Sequence, residues 1–265
     1  MTASTHADPC FDPALNLARQ SLYRVAALSL LDPRAGAWER LNALRGDPVL
    51  DQAEKILRNE PAAIARALAP GERPLARLDA SAALARLPAS AAELNEQYER
   101  TFGLLVSKAC PPYETEYIPE KFTFQRSQAL ADIAGFYAAF GLEPSSAHPE
   151  RHDHIVLELE FMALLLDMER RAIQHDLPNG CDKAVVCHDA QSRFLKEHLA
   201  WWAPAFCKLL ARESSGGFYE GVALLLAAFV PAERSLLGIE AATRTVSPSA
   251  AERPDECEGC MLARS

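Results

Sequence analysis

The sequence has little basic charge, almost no paired glycine and no long apolar run, and each shortage excludes a class of protein. Its 27 lysines and arginines are outnumbered by 36 aspartates and glutamates, and a net charge of −9 argues against nucleic-acid binding. Its only Gly-Gly pair, Gly216-Gly217, has no Lys-Ser/Thr after it and predicts no phosphate-binding loop. The apolar run at residues 222–230 is far shorter than the ~20 residues of a membrane span. A buried core helix is expected there.

Targeting and cysteine signals are equally sparse. Residues 1–10 contain neither a basic segment nor an apolar stretch, so no secretory signal is visible and a cytoplasmic location is expected. The seven cysteines are irregularly spaced, which favours free thiols over a disulfide framework. Cys257 and Cys260 alone have the spacing of metal ligands, and a closed zinc site would need two more. The sequence therefore predicts no cofactor.

Composition and periodicity predict a soluble, all-α protein. Of 265 residues, 49% are hydrophobic and 24% charged, and the signals of β-strands and hairpins are nearly absent. Helix starts are marked by Asp12-Pro13, by Asp47-Pro48 and by the capping-box pattern of Ser90 and Glu93. Apolar stripes predict helices over residues 122–140, 151–175, 183–212 with a kink near Pro204, and 218–240.

The domain organisation follows from where this periodicity stops. We predict one helical domain of about ten helices over residues 1–244 and a flexible tail over residues 245–265. Residues 103–119 interrupt the helices, because Pro111-Pro112 cannot lie inside a helix. A loop of that length is uncommon in a compact helical protein unless it is functional.

Two segments contain the candidate functional residues. The first is the loop from Cys110 to Tyr117, and the second is Glu150-Arg-His-Asp-His154 at the start of an apolar helix. Residues 113–121 and 143–160 together contain eight acidic residues against two basic ones. If the segments converge, they form an acidic groove with aromatic walls, which would suit a peptide carrying arginines and apolar residues. The acids are Glu114, Glu116, Glu120, Glu143, Glu150, Asp153, Glu158 and Glu160.

Other interpretations of the same residues remain open. Asp153 could be a helix N-cap, with Glu158 and Glu160 on a solvated face. A helical metalloprotein could use His152, His154, Glu158 and Glu160, although no glutamate has a histidine three residues later, as di-iron bundles require. A permanent structural subunit of a larger complex is a further alternative. The common hydrolase and zinc-protease signatures are absent, so we do not expect an enzyme.

Four blocks of sequence resemble a known family. They are Tyr98-x-x-Thr-Phe-Gly103, Pro111-Pro-Tyr-Glu-Thr-Glu-Tyr117, Ala131-Asp-Ile-Ala-Gly-Phe-Tyr137 and Arg151-His-Asp-His-Ile-x-x-Glu-Leu-Glu-Phe-Met162. In order and spacing these blocks are similar to those of the TorD/DmsD family of chaperones that mature molybdenum enzymes. The resemblance covers about residues 90–230.

The resemblance implies a fold, a partner and a site. Family members are all-helical, cytoplasmic and not enzymes. They bind the twin-arginine leader of a molybdoenzyme catalytic subunit and hold its apo form until the cofactor is inserted. The expected partner is therefore such a precursor, with no nucleic acid and no membrane insertion, and the protein is expected as a monomer or homodimer. The client-binding residues implied here are Tyr98, Phe102, Pro112, Tyr113, Glu114, Tyr117, Asp153, His154 and Glu158.

Asp153 and His154 carry one further expectation. Both precede the first strongly apolar turn of their helix, so their side chains are expected near the surface. Surface substitutions usually change stability by less than ~0.5 kcal/mol. Asp153→Asn and His154→Ala are therefore expected to weaken leader binding while leaving the melting midpoint nearly unchanged.

Overall fold

A computed structural model describes residues 11–103, 109–119, 123–143, 150–174, 179–241 and 246. Within these ranges the chain forms ten α-helical segments and short 3-10 turns, and no strand beyond one isolated β-bridge. The all-α prediction is confirmed. The helices are α1 (Pro13–Leu30), α2 (Ala37–Ala43), α3 (Pro48–Arg58), α4 (Ala80–Ala85), α5 (Ala91–Phe102), α6 (Thr123–Ala139), α7 (Ile155–Gln174), α8 (Gly180–Phe194), α9 (Ala200–Glu213) and α10 (Phe218–Leu236).

The predicted helix starts are confirmed by their hydrogen bonds. Asp12 accepts from the backbone N–H of Ala14 at 2.8 Å, and Asp47 accepts from that of Val49 at 2.9 Å. Ser90 accepts from the N–H of Glu93, whose carboxylate accepts from Ala89 in return. Each side chain satisfies backbone donors that have no partner within the helix, which fixes where the helix begins.

A π-helical turn, Leu195–Leu199, joins α8 to α9. Pro204 lies inside α9, so the predicted kink at that residue stays a prediction. The irregular turn ends at Ala200, one turn before Pro204. It directs His198 into the protein interior.

The core is built around α1, α7 and α10. Helix α1 packs against α7, and α10 packs against α9. Helix α10 is buried almost all round, because its apolar residues leave no polar stripe. Arg19 of α1 is buried and its guanidinium pairs with both carboxylate oxygens of Glu233 at 2.8 and 2.9 Å. This ion pair fixes α1 against α10.

A proline inside α10 ties a distant segment to the core. Pro231 cannot donate to the carbonyl oxygen of Ala227, and that oxygen accepts from the backbone N–H of Arg73 at 2.7 Å instead. Nearby, Gly71 has φ +103° and an added Cβ would lie 2.5 Å from the carbonyl oxygen of Pro204. Only glycine fits there, so this segment is held closely against α9 and α10.

The predicted tail lies largely outside the described residues, as do Cys257 and Cys260. Val246 is described, and it packs half-buried against the core. The domain boundary at residue 244 stays a prediction.

Candidate functional site

The two candidate segments converge, as the acidic-groove hypothesis required. The backbone N–H of Glu114 donates to the carbonyl oxygen of Asp153, and that of Ile155 donates to the carbonyl oxygen of Pro112, both at 2.9 Å. These bonds form an antiparallel β-bridge between Tyr113 and His154. Because Pro111-Pro112 restricts the loop to extended backbone, the loop presents its carbonyl to the helix start without a large entropic cost. We call this pairing the loop–helix bridge.

Asp153 lies beneath the loop, and the expectation that it lies at the surface is wrong. Its side chain is 0% exposed, and it accepts from the backbone N–H of Thr115 at 3.1 Å and from the Thr115 hydroxyl at 2.7 Å. The guanidinium of Arg151 donates to both carboxylate oxygens at 3.0 and 2.8 Å. Asp153 therefore fixes the loop conformation and does not cap α7.

His154 is also buried, at 5% exposure, against the same expectation. Its Nδ1 accepts from the backbone N–H of Val156 at 3.2 Å, so His154 and not Asp153 caps α7. The edge of Tyr113 packs on the imidazole with the ring centroids 5.1 Å apart. Burial lowers the pKa of His154 to about 4, and the nearby Glu150 opposes that shift only in part. The imidazole is neutral at pH 7.

Two carboxyl groups point inward from this bridge. Glu114 is 2% exposed, accepts from the indole N–H of Trp201 at 2.9 Å, and lies 3.2 Å from Nδ1 of His198. Glu158 is 0% exposed and accepts from the indole N–H of Trp202 at 3.2 Å. Burial, and then the charge of Glu114, raise the pKa of Glu158 well above its ordinary value. Burial and the acidic neighbour both favour the protonated form of Glu158, as in other paired carboxyl sites.

The pKa of Glu158 leads to a testable prediction. Because the pKa of Glu158 is higher in the folded than in the unfolded chain, its protonated form stabilises the fold. This contribution is largest below the ordinary pKa of 4.5 and is lost as the pH rises through the folded-state pKa. Glu158→Gln keeps the shape and cannot ionise, so the variant is expected to lose less stability than wild type as the pH rises. Urea unfolding at a series of pH values measures this, with exposed Glu39→Gln as the control. Parallel profiles for wild type and Glu158→Gln would show that Glu158 ionises like a surface carboxyl.

The remaining predicted residues divide into two groups. Tyr117 is buried at 1% exposure, donates to the carbonyl oxygen of Pro111 and packs on Trp202, so it stabilises the loop from below. Tyr98 and Phe102 of α5 instead pack on Tyr219 of α10. Burial raises the pKa of Tyr98, and the carboxylates of Asp32 and Glu150 add to that effect. Tyr98 therefore lies within electrostatic range of the bridge.

The exposed part of the loop–helix bridge is small and of mixed charge. Tyr113 is half-buried and its hydroxyl donates to the carboxylate of Glu150 at 3.1 Å. The Arg151 guanidinium stacks over the Tyr113 ring at 4.3 Å and reaches Glu116 at 3.3 Å. Burial raises the pKa of the Tyr113 phenol to about 12.

The acidic residues are arranged differently from the acidic groove that the sequence predicted. The acids that point into the interior are Glu114, Asp153 and Glu158, because the bridge draws both segments against the core. Glu120 lies outside the described residues. The acids that solvent reaches are Glu116, Glu143, Glu150 and Glu160.

Two of these acids border an apolar groove that the sequence did not reveal. The groove, of about 780 Å³, runs between α1 and α7, with α2 and α3 on one side and the end of α6 on the other. Glu143 and Glu160 lie on the α6–α7 side, and Arg24 and Arg40 on the α1–α2 side. Its walls include Val25, Leu28, Leu44, Val49, Leu157 and Phe161.

Tyr137 connects this groove to the bridge. It is one of the residues that line the groove, and its hydroxyl donates to the carbonyl oxygen of His152 at 2.9 Å. Tyr137 therefore links the groove to the chain segment that forms the bridge.

Sequence reasoning missed three residues that complete the buried side of the site. His198, Trp201 and Trp202 contact Glu114 and Glu158. The pattern of aromatic residues near the π-helical turn was the only signal, and it predicted core packing rather than these partners.

Neither a metal site nor a membrane span is found in the described ranges. No three His, Cys, Asp or Glu side chains there are grouped so that they could hold a metal ion. His152, His154, Glu158 and Glu160, the alternative metal set, do not converge in that way. No described helix has the length and hydropathy needed to cross a bilayer.

Curated relatives of the chain are chaperones. The chain is 35% identical over 116 residues to the selenate reductase assembly chaperone protein of Thauera selenatis, covering 44% of this chain and 56% of that protein. It is 33% identical over 126 residues to the chlorate reductase assembly chaperone protein of Ideonella dechloratans, covering 48% and 60%. It is 25% identical over 129 residues to chaperone protein TorD of Aliivibrio fischeri, covering 49% and 57%. The match therefore spans somewhat more than half the length of each relative.

A family model described as nitrate reductase delta subunit matches residues 65–208, which is more than half of the chain. The matched range includes the bridge, Trp201 and Trp202. No solved structure matches the chain significantly. The resemblance drawn from the four sequence blocks is thereby confirmed, and the chain belongs to the TorD-like family of molybdoenzyme chaperones.

Proposed function

We propose that this protein is a cytoplasmic chaperone that binds the twin-arginine leader and the apo form of a molybdoenzyme catalytic subunit and assists cofactor insertion before export. Membership of the family and the names of the relatives, two of them reductase assembly chaperones, support a role in reductase maturation. On this proposal the protein binds its client and catalyses no reaction itself.

The apolar groove between α1 and α7 is the observation that carries this proposal. Export leaders combine a basic segment with an apolar stretch of about 7–15 residues. An apolar stretch of that kind suits a groove walled by aliphatic side chains and Phe161. The leader's arginines would pair with Glu143 and Glu160 on the α6–α7 side, since carboxylates bind guanidinium groups in a fork geometry.

The loop–helix bridge has a positioning role in this proposal. Asp153 and Glu114 are buried and do not reach a bound peptide directly. Asp153 orients Arg151, whereas Tyr113 binds Glu150 at the surface, and the His152 carbonyl of the same segment accepts from Tyr137 of the groove. The motif residues would then act on client binding through the surface that they hold in place.

Leader binding is expected to have both an ionic and an apolar component. Raising the salt concentration is expected to weaken binding of a synthetic leader peptide, because exposed charge pairs are screened beyond ~8 Å at physiological ionic strength. Glu160→Gln is expected to reduce that salt dependence, and Val49→Ser to weaken binding at every salt concentration. Fluorescence anisotropy with a labelled leader measures both effects.

Matched controls exist for both variants. Glu39 and Val186 are exposed residues outside the groove, so Glu39→Gln and Val186→Ser are expected to bind the leader like wild type. Equal affinity at low and high salt, together with unchanged binding by Val49→Ser, would place the leader elsewhere on the surface.

A further inference from the structure

A second pocket, of about 250 Å³, is surrounded by arginines although the protein as a whole is acidic. It lies between the end of α3, residues 73–79, α4 and α10, and shares no lining residue with the apolar groove between α1 and α7. The arginines are Arg58, Arg73, Arg77 and Arg86, and Asp79 is the one acidic residue in the lining.

The backbone around this pocket is held rigidly. The hydrogen bond from Arg73 to the Ala227 carbonyl, which Pro231 leaves free, anchors one wall on α10. Gly221 of α10 allows α4 to approach, since a Cβ there would lie 2.9 Å from Cα of Ala83 and 3.2 Å from Cδ of Arg86. The pocket is therefore formed before any ligand arrives.

Two of the arginines are oriented by acidic partners behind them. Arg58 pairs with the buried Glu54 at 2.8 Å and donates to the carbonyl oxygen of Leu78. Arg86 pairs with Glu220 at 2.5 Å. Each arginine side chain remains 39% exposed, so part of each guanidinium stays accessible.

The other two arginines have no ion pair within the described part of the chain. Arg73 is half-buried, Arg77 is exposed, and both line the pocket. A half-buried cation without a counter-charge costs desolvation free energy that an anion would offset. Against these two arginines the lining has one carboxylate, Asp79, so the pocket keeps a net positive charge.

We propose that the pocket binds a phosphate group, either free or on a small organic molecule. Guanidinium groups match phosphate oxygens in bidentate geometry, and four arginines line this pocket. The pocket is smaller than the ~300–1,000 Å³ typical of sites for drug-sized ligands, so it suits a phosphate or pyrophosphate group. This site goes beyond the proposed leader binding and does not depend on it.

Calorimetric titration of the full-length protein with inorganic pyrophosphate, at low ionic strength, tests the proposal. Saturable binding at one site per chain is expected. Arg77→Ala and Arg73→Ala are each expected to weaken it about tenfold or more, the effect of losing one charge-assisted hydrogen bond. Arg66→Ala removes the same charge from an exposed position outside the pocket and is expected to bind like wild type.

Further results of these titrations would support or overturn the phosphate site. Glycerol phosphate in a second titration distinguishes an organic phosphate from the free ion, and either one binding with the same variant pattern supports the site. Equal weakening by Arg66→Ala and Arg77→Ala would show general charge attraction and overturn the proposal. So would no saturable binding of either compound, or equally tight binding of sulfate. Arg77 is exposed, so its variant keeps the test valid if Arg73→Ala lowers the melting midpoint.

Discussion

Asp153→Ala is expected to lower the free energy of unfolding by about 3 kcal/mol. The substitution leaves the buried N–H and hydroxyl of Thr115 without an acceptor, and each unsatisfied buried donor costs about 1–3 kcal/mol. The ion pair with Arg151 adds less than a fully buried pair would, because the Arg151 side chain is 39% exposed. Urea denaturation followed by circular dichroism measures the change.

The matched control and the milder variant sharpen this test. Asp132 is an exposed aspartate of α6, so Asp132→Ala is expected to change stability by less than about 0.5 kcal/mol. Asp153→Asn keeps one acceptor for Thr115 but loses the charge that pairs with Arg151, and an intermediate loss is expected. If Asp153→Ala unfolds at the same urea concentration as wild type, Asp153 does not hold the loop.

Acidification is expected to destabilise the protein through His154 by up to about 3 kcal/mol. Its folded-state pKa of about 4 lies below the ordinary value of 6.5, so the unfolded chain binds the proton more readily. The stability contributed by neutral His154 is full above pH 6.5 and is lost as the pH falls through about 4. The stability is lost because a protonated Nδ1 cannot accept the hydrogen bond from the backbone N–H of Val156, and because the charged ring would be buried.

His154→Asn isolates this effect. Asparagine is a good N-cap whose side-chain oxygen can accept from the same N–H, and it does not titrate. The variant is therefore expected to lose less stability than wild type between pH 6.5 and 4, measured by urea unfolding at each pH. His152→Asn removes an imidazole from the same segment and is expected to retain the acid-dependent loss. A wild-type profile for His154→Asn would assign the acid sensitivity to other groups.

The sequence predicted most of the helices because helix signals are local. Asp12, Asp47 and Ser90 mark their helices through bonds to residues two or three positions away. Helix α7 begins at Ile155 rather than at residue 151, since Ile155 donates across the chain to Pro112. That bond depends on two segments meeting, which no local pattern contains.

The candidate site could be found from the sequence, but its burial could not. Asp153 is adjacent to charged residues in the sequence, and only its partner 38 residues away shows that it points inward. Glu114 similarly finds Trp201 at a separation of 87 residues. The pattern of polar and apolar residues identified the candidate side chains. Their partners far away in the sequence show that most of these side chains are buried and stabilise the loop from within.

The loop–helix bridge also closes the chain around α6. Helix α6 lies between the two chain segments that the bridge joins, and only Ile133 and Tyr137 of its described side chains are fully buried. Because the bridge closes the chain below this helix, α6 can unwind without separating residues 112 and 155. Local opening of α6 would expose Tyr137 and one side of the apolar groove. If the groove binds the client as proposed, such an opening would give a large client access from the side without global unfolding of the protein.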